Sequence, residues 1–218
     1  MAMKKTTSGV ALLSGPLASC LFYVCLIGFA AVRPEYSHAT KAISELGAVG
    51  APNALAFNIL GFIAPGLLLV VFASALKFHL GAKWGSALLA LSGLAFVAAG
   101  VFAVDMDARS SPQSTAHLAG AMLTGLFFAF ALFPLGRSLS KFGLAAWGRI
   151  TPWFLSFMFL NVGWQAVYQA TGSVNPGWGQ RIAFAGFFTW ILITGLLLWK
   201  KTRSVSGNQP LIQSSDAR

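Results

Sequence analysis

Charged side chains are scarce in this chain of 218 residues, in which Asp, Glu, Lys and Arg together make up 9%. Soluble domains carry roughly a quarter charged residues, so this scarcity excludes a water-exposed globular enzyme. Cysteine is scarce as well, with two residues, which excludes a disulfide-held scaffold. Apolar residues make up 56% of the chain and its mean hydropathy is +0.72. This composition is typical of an integral membrane protein, with the lipid bilayer as its partner.

Acidic residues are the scarcer kind of charge, with 5 against 15 Lys and Arg and a net charge of +10. Basic proteins often bind nucleic acid. Here the basic residues form short tracts between long apolar runs, a pattern that indicates membrane topology. The sequence therefore predicts no nucleic-acid partner.

Long apolar runs dominate the chain, and a membrane-spanning helix needs about 20 such residues. Six runs meet this requirement, and none contains Asp, Glu, Lys, Arg or His. The runs predict an all-α integral membrane bundle of six transmembrane helices. Their bounds are Gly9–Val32, Ala54–Leu76, Gly85–Val104, Leu118–Gly136, Ile150–Ala170 and Ile182–Trp199.

The basic residues between the runs predict the orientation of the bundle. With the N-terminus inside, 11 Lys and Arg fall on the cytoplasmic side and 4 on the outer side. The positive-inside rule then favours N-in, C-in topology in the cell membrane. Residues 1–8 are predicted to be a cytoplasmic tail, 9–199 the transmembrane domain, and 200–218 a disordered basic cytoplasmic tail. The outer cations are Arg33, Lys41, Arg109 and Arg181.

The first outer loop, Arg33–Asn53, contains much of the polar sequence. Ser37 can cap a short interfacial helix over His38–Leu46, which Gly47 would end. One interpretation is an amphipathic helix in the membrane interface with a solvated Lys41–Glu45 pair. The other is a lid over a pocket, with the polar side chains turned inward.

The second outer loop carries Asp105, Asp107 and His117, which have the donor atoms of a divalent-metal site. The chain has no compact metal-binding motif, so the sequence predicts no firm cofactor and leaves the metal as an open alternative. In the other interpretation, these acids pair with basic residues of the outer loops.

The fifth run carries three amides at four-residue spacing, Asn161, Gln165 and Gln169. Amides rarely face lipid, so they are expected to face the bundle or a wet cavity. Asn58 in the second run is a candidate hydrogen-bond partner for them.

Several motifs resemble those of a membrane family named domain of unknown function 998. The most specific are Arg33–Ser37, with the sequence RPEYS, and Ile43–Gly47, with the sequence ISELG. Phe102–Asp105, His117 and Gly179–Arg181 also look like positions of the family, although Ala103 stands where the family usually has proline. The resemblance spans about Gly9 to Trp199. It implies a six-helix bundle and no particular reaction.

These patterns favour a protein that binds or moves a small amphiphile at an outward-facing polar pocket. Glu45 or Asp105 is expected to pair with Arg181 and so tie the first loop to the last helix. The candidate binding residues are Arg33, Tyr36, Ser37, His38, Ser44, Glu45, Asp105, His117, Asn161, Gln165, Gln180 and Arg181.

Two other classes stay open. A membrane-embedded hydrolase or transferase would use Glu45, Asp105 and His117, with Ser37 or Ser44 as nucleophile, and with a metal in one version. Such a site requires its groups to converge within about 5 Å. A structural or assembly subunit would need no ligand. The sequence sets no oligomeric state.

The predicted topology is tested by thiol labelling in a variant whose Cys20 and Cys25 are replaced by Ser. A cysteine at Ser110 should react with an impermeant reagent from outside, and one at Lys141 only from inside, because of the basic-residue asymmetry. Reaction of both positions from the same side would contradict the N-in, six-helix arrangement.

Overall fold

The computed structural model describes residues 9–207, with their side chains up to residue 204. These residues form helices and contain no strand, which confirms the predicted all-α class. Two 3₁₀ helices, Ile43–Gly47 and Thr151–Phe154, lie between the longer elements. The helices are α1 Gly9–Ala31, α2 Ala54–Leu80, α3 Lys83–Val101, α4 Pro112–Lys141, α5 Ala145–Ile150, α6 Leu155–Thr171 and α7 Gly177–Gly207.

Five helices (α1 to α4 and α7) are long and apolar enough to cross a membrane, so the chain is a multi-pass membrane protein. The remaining predicted run, Ile150–Ala170, differs at its start. It opens with the 3₁₀ helix Thr151–Phe154, because Pro152 lacks the N–H that a regular helix would use. The following α6 has 17 residues and rises about 26 Å. The six-helix count and the orientation stay predictions.

Helix α7 continues beyond the apolar run that predicted it. It ends at Gly207, so residues 200–207, expected to belong to a disordered tail, are helical instead. The guanidinium of Arg203 lies 4.8 Å from the Trp199 ring centre, and Lys201 Nζ donates to the Gly143 carbonyl at 2.9 Å. The first contact lies within α7, and the second ties the end of α7 to the turn between α4 and α5. The predicted tails over 1–8 and 208–218 lie outside the described residues.

Helix α2 contains a π-helical segment, Asn58–Ile63, within its outer half. The Ala64 N–H donates to the Ile59 carbonyl, five residues earlier. Ala64 separates the segment from Pro65, which has no N–H to donate. The wider turns accommodate the proline without ending the helix, and they place the Asn58 side chain in the protein interior.

An aromatic cluster joins four helices at the centre of the bundle. Phe22 of α1 stacks on Phe188 of α7 with ring centres 4.3 Å apart, and both approach Phe96 of α3 at 6.0 Å. Phe187 of α7 meets Phe128 of α4 at 4.5 Å. These rings are buried, and their packing fixes α7 against the rest of the bundle.

Helix α6 lies at the edge of this bundle. None of its residues is fully buried, and its main neighbour is α7. Two tryptophans secure the turn that leads into α6. Trp190 Nε1 donates to Thr151 Oγ1 at 3.1 Å, and Trp147 Nε1 donates to Thr194 Oγ1 at 2.9 Å. One long face of α6 therefore remains available to lipid or a ligand.

Two glycines let α2 and α3 approach each other at the backbone. A methyl group added at Gly66 would stand 2.7 Å from the Gly93 carbonyl oxygen, and one added at Gly93 would stand 2.7 Å from the Gly66 oxygen. Small residues have this role in membrane helix pairs because association depends on close packing.

We expect Gly66→Ala to destabilise the protein by about 1–3 kcal/mol, because the two helices must move apart. Gly28→Ala is the matched control, since nothing lies within 4 Å of its added methyl group. Thermal unfolding of both purified variants in detergent checks this. Equal melting temperatures for the two variants would show that the close contact between α2 and α3 does not determine stability.

Candidate functional site

Arg181, in the first turns of α7, organises the outer polar residues. Its Nη2 donates to Tyr36 Oη at 2.7 Å, and both Nη2 and Nε lie within 3.3 Å of His38 Nδ1. Its Nη1 donates to the carbonyls of Lys41 at 3.0 Å and Gly177 at 2.8 Å. A guanidinium has five N–H donors, so neutral acceptors account for all of them.

The partners of Arg181 have defined protonation states as a result. His38 Nδ1 must be an acceptor, because arginine only donates, so the imidazole is neutral. Burial lowers the pKa of His38 below its ordinary value, and the positive charge of Arg181 lowers it further. Burial raises the pKa of Tyr36, which donates its hydroxyl proton to the Ala42 carbonyl at 3.1 Å.

The first outer loop differs from its prediction. A short helix is present in this loop as expected, but it covers only Ile43–Gly47, as a 3₁₀ helix, and not His38–Leu46. The carbonyls of Ala39 and Lys41 accept hydrogen bonds from the first turns of α7. The backbone of Ala42 is extended, with φ −67° and ψ 150°, so an α-helix cannot run through this residue.

The pairing expected for Arg181 is also wrong. Glu45 Oε1 accepts from the Ala42 N–H at 2.8 Å, and its Oε2 pairs with Lys41 Nζ at 3.3 Å. Within the described side chains no salt bridge includes Arg181, either to Glu45 or to Asp105. The loop is still tied to α7, but through Tyr36, His38 and backbone carbonyls.

The other polar groups of this loop are also bonded within the protein. Arg33 pairs with Glu35 at 2.6 Å and donates to the Glu45 carbonyl at 2.9 Å. Gln180 Oε1 accepts from the Ile43 N–H at 3.0 Å, which gives the loop a second connection to α7. These candidate residues therefore support the shape of the loop.

Apolar side chains of the loop seal the outer end of the bundle. Ile43 and Leu46 are each 1% exposed. Asn58 Nδ2 donates to the Gly47 carbonyl at 2.8 Å, so it anchors the loop and does not pair with the amides of α6 as expected. The apolar side chains of the loop are therefore buried, while the Lys41–Glu45 pair expected of a solvated helix face is also present.

Neither of the two serines considered as nucleophiles is hydrogen-bonded to a base among the described residues. Ser37 is exposed, and its Oγ accepts from the Ala39 N–H at 3.3 Å. Ser44 is half-buried in the 3₁₀ turn, and its hydroxyl makes no hydrogen bond to a described carboxylate or imidazole.

The second outer loop uses its polar groups in turns and caps. Asp105 Oδ1 accepts from the N–H groups of Asp107 at 3.0 Å and Ala108 at 3.2 Å. His117 is 6% exposed, and its Nδ1 lies 2.7 Å from the Ala99 carbonyl and 3.0 Å from the Phe102 carbonyl. Carbonyls only accept, so Nδ1 carries a proton.

These geometries do not assemble the reactive constellation. Glu45, Asp105, His117 and Arg181 each have different partners. Over residues 9–204, no group of three or more His, Cys, Asp or Glu side chains could hold a metal ion, including Asp105, Asp107 and His117.

The amides of α6 separate into two environments. Gln165 Nε2 donates to the Pro176 carbonyl at 2.9 Å, in the seam between α6 and α7. Asn161 Oδ1 is buried in the same seam and has no hydrogen-bond partner among the described residues. Gln169 is exposed. A methyl group added at Gly179 would stand 2.8 Å from Asn161 Oδ1, which shows that the seam is narrow.

A groove of about 550 Å³ runs along the free face of α6. Trp164 borders both this groove and the seam, since its ring also lies near Gly179. Several of its side chains are exposed, so the groove opens on the outer surface of the bundle. Apart from Ser156, its lining is apolar: Phe159, Leu160, Gly163, Trp164, Val167 and Val174.

The role of Gly177 is visible only in the structure. Its N–H donates to the Ala39 carbonyl at 2.8 Å, and an added methyl group would stand 2.6 Å from the carbonyls of His38 and Ala39. In the sequence its only sign is the Pro176–Gly177 pair at the start of the last helix. Glycine is needed there because the first loop lies directly against the α7 backbone.

A comparison with protein families agrees with the motifs of the first loop. A family model described as a protein of unknown function (DUF998) matches residues 16–197. The match covers most of the chain, so the protein belongs to this family. No curated protein and no solved structure matches it.

We expect acidification to loosen the Arg181 cluster. Because the pKa of His38 is lowered on folding, its stabilising contribution is complete above the unfolded value of about 6.5 and is lost as pH falls through the folded value. Between about pH 7 and about pH 5 the melting temperature should therefore fall more steeply for the wild type than for His38→Gln. The glutamine can still accept a hydrogen bond from Arg181, but it does not titrate. Parallel pH profiles for the two proteins would contradict this.

Proposed function

We propose that this membrane protein binds a lipid-like amphiphile along α6. The alkyl chain would lie in the apolar groove and a neutral, hydrogen-bonding head group would pair with the Asn161 amide. The observation that carries the proposal is the buried Asn161 Oδ1 in the α6–α7 seam, which has no partner among the described residues. Trp164 separates this seam from the apolar groove on the free face of α6.

Asn161 favours a ligand that donates a hydrogen bond. A buried carbonyl oxygen without a partner costs about 1–3 kcal/mol, so proteins rarely retain one without a reason. The oxygen can only accept, and a hydroxyl or amine of the ligand would satisfy it. A polar side chain within a membrane-spanning region is a functional candidate for the same reason.

The groove favours an elongated apolar ligand. Its volume of about 550 Å³ is in the range of small-molecule sites, and six of its seven lining residues are apolar or glycine. Gly163 keeps the groove open at its centre, since nothing lies within 4 Å of a methyl group added there.

The outer loop favours entry from the bilayer. Ile43 and Leu46 fill the outer end of the bundle, and Arg181 fastens the loop to α7. A ligand arriving from the outer solution would have to displace these contacts. The free face of α6 presents no such barrier, and so we place the route of entry in the membrane.

The test measures retention of monoolein, a neutral amphiphile with two hydroxyl groups, by native mass spectrometry of the purified protein. We expect Asn161→Leu to lower monoolein occupancy by about fivefold, because a hydrogen bond contributes about 1 kcal/mol. Gly163→Leu should lower it further by filling the groove, with little change in melting temperature.

The matched control is Gln169→Leu, which removes an exposed amide from the same helix. It should retain monoolein as the wild type does. Equal losses in Asn161→Leu and Gln169→Leu would show that occupancy reflects the general polarity of α6. Wild-type occupancy in Gly163→Leu would exclude the groove.

A further inference from the structure

A second groove, of about 420 Å³, lies between the facing ends of α2 and α3. On α2 the residues at its wall follow one helix face, Ala73, Ser74 and Lys77. On α3 they do the same, with Lys83, Ser86 and Ala90. The two lysines line it beside the short turn through Gly81 that joins the helices. This is the end that the basic residues predict to be cytoplasmic.

Ser86 has an unsatisfied hydroxyl in this groove. The residue is 3% exposed, and its Oγ makes no hydrogen bond within the described part of the chain. Serines in helices usually bond to a carbonyl one turn earlier, as Ser74 does to Val70 at 3.0 Å. The Ser86 hydroxyl is therefore a buried polar group free to bond with a ligand.

The lysines carry charge that no acid neutralises within the described residues. Between residues 9 and 204 the salt bridges include neither Lys77 nor Lys83. No side chain caps the start of α3, so its first N–H groups add positive potential beside Lys83. Trp84, next to it, is 79% exposed, as tryptophans are at the level of lipid head groups.

We propose that this groove binds an anionic phospholipid. The phosphate would lie between Lys77 and Lys83, at the start of α3, and would accept a hydrogen bond from Ser86. One acyl chain would follow the small side chains of Ala73 and Ala90 into the bilayer. Basic pockets between helices on the cytoplasmic side are suited to this ligand class, because positive charge and an apolar wall meet there.

The experiment incorporates the protein into vesicles of phosphatidylcholine with a minority of phosphatidylglycerol, then extracts it in mild detergent. Native mass spectrometry counts retained phosphatidylglycerol. We expect Lys77→Gln with Lys83→Gln to reduce retention about tenfold or more, since each lysine contributes about 1 kcal/mol near an anionic surface. Ser86→Ala should also reduce retention without lowering the melting temperature, because Ser86 forms no bond in the fold.

The matched control is Arg137→Gln with Lys141→Gln, which removes two exposed cations from the same end of the bundle, outside the groove. It should retain the lipid as the wild type does. Equal loss in both double variants would mean general charge attraction, and unchanged retention in the lysine variant would exclude the groove. Displacement of the lipid by millimolar inorganic phosphate would overturn the proposal in favour of a free-anion site.

Discussion

Backbone N–H and C=O groups within a membrane must find partners inside the protein, because hydrocarbon offers none. Helix α2 shows what this constraint produces where the sequence works against it. Pro65 has no N–H, and the π segment before it redirects the Ala64 N–H to the Ile59 carbonyl. Asn58, at the start of that segment, donates to the Gly47 carbonyl and so anchors the outer loop. The π segment that compensates for the missing N–H of Pro65 therefore also helps to position the outer loop that closes the bundle.

The same requirement applies to the charge at the outer end. Arg181 is half-buried, and a charge in that position needs hydrogen bonds even without a counterion. Tyr36, His38 and two carbonyls provide them, and all of these acceptors are neutral. Because its donors are already occupied, Arg181 has little capacity left for an anionic ligand. The outer cluster therefore connects the first outer loop to α7 through hydrogen bonds.

Hydropathy predicted the helical class and most of the apolar segments, because burial in lipid leaves a strong signal along the chain. It did not predict where the helices end, since α4 extends to Pro112–Lys141 with polar turns at both ends. The loop was harder still. Lys41 bonds to a residue 140 positions away, and a pattern read over a few residues contains no trace of that contact. Likewise, the sequence positions of Lys77 and Lys83 predict membrane topology only, although folding brings both residues to one groove.

The charge asymmetry that predicts the topology also separates the two proposed ligand classes. At the outer end, Arg33 and Lys41 are paired with acids and Arg181 is saturated by neutral groups. At the other end, Lys77 and Lys83 have no carboxylate partner among the described residues. Free cations attract phosphate, whereas a lone buried amide oxygen attracts a hydroxyl. An amphiphile on α6 should accordingly have an uncharged head group, and the α2–α3 groove should discriminate by charge. The two proposed sites would then differ in chemistry as the two ends of the bundle differ in the pairing of their cations.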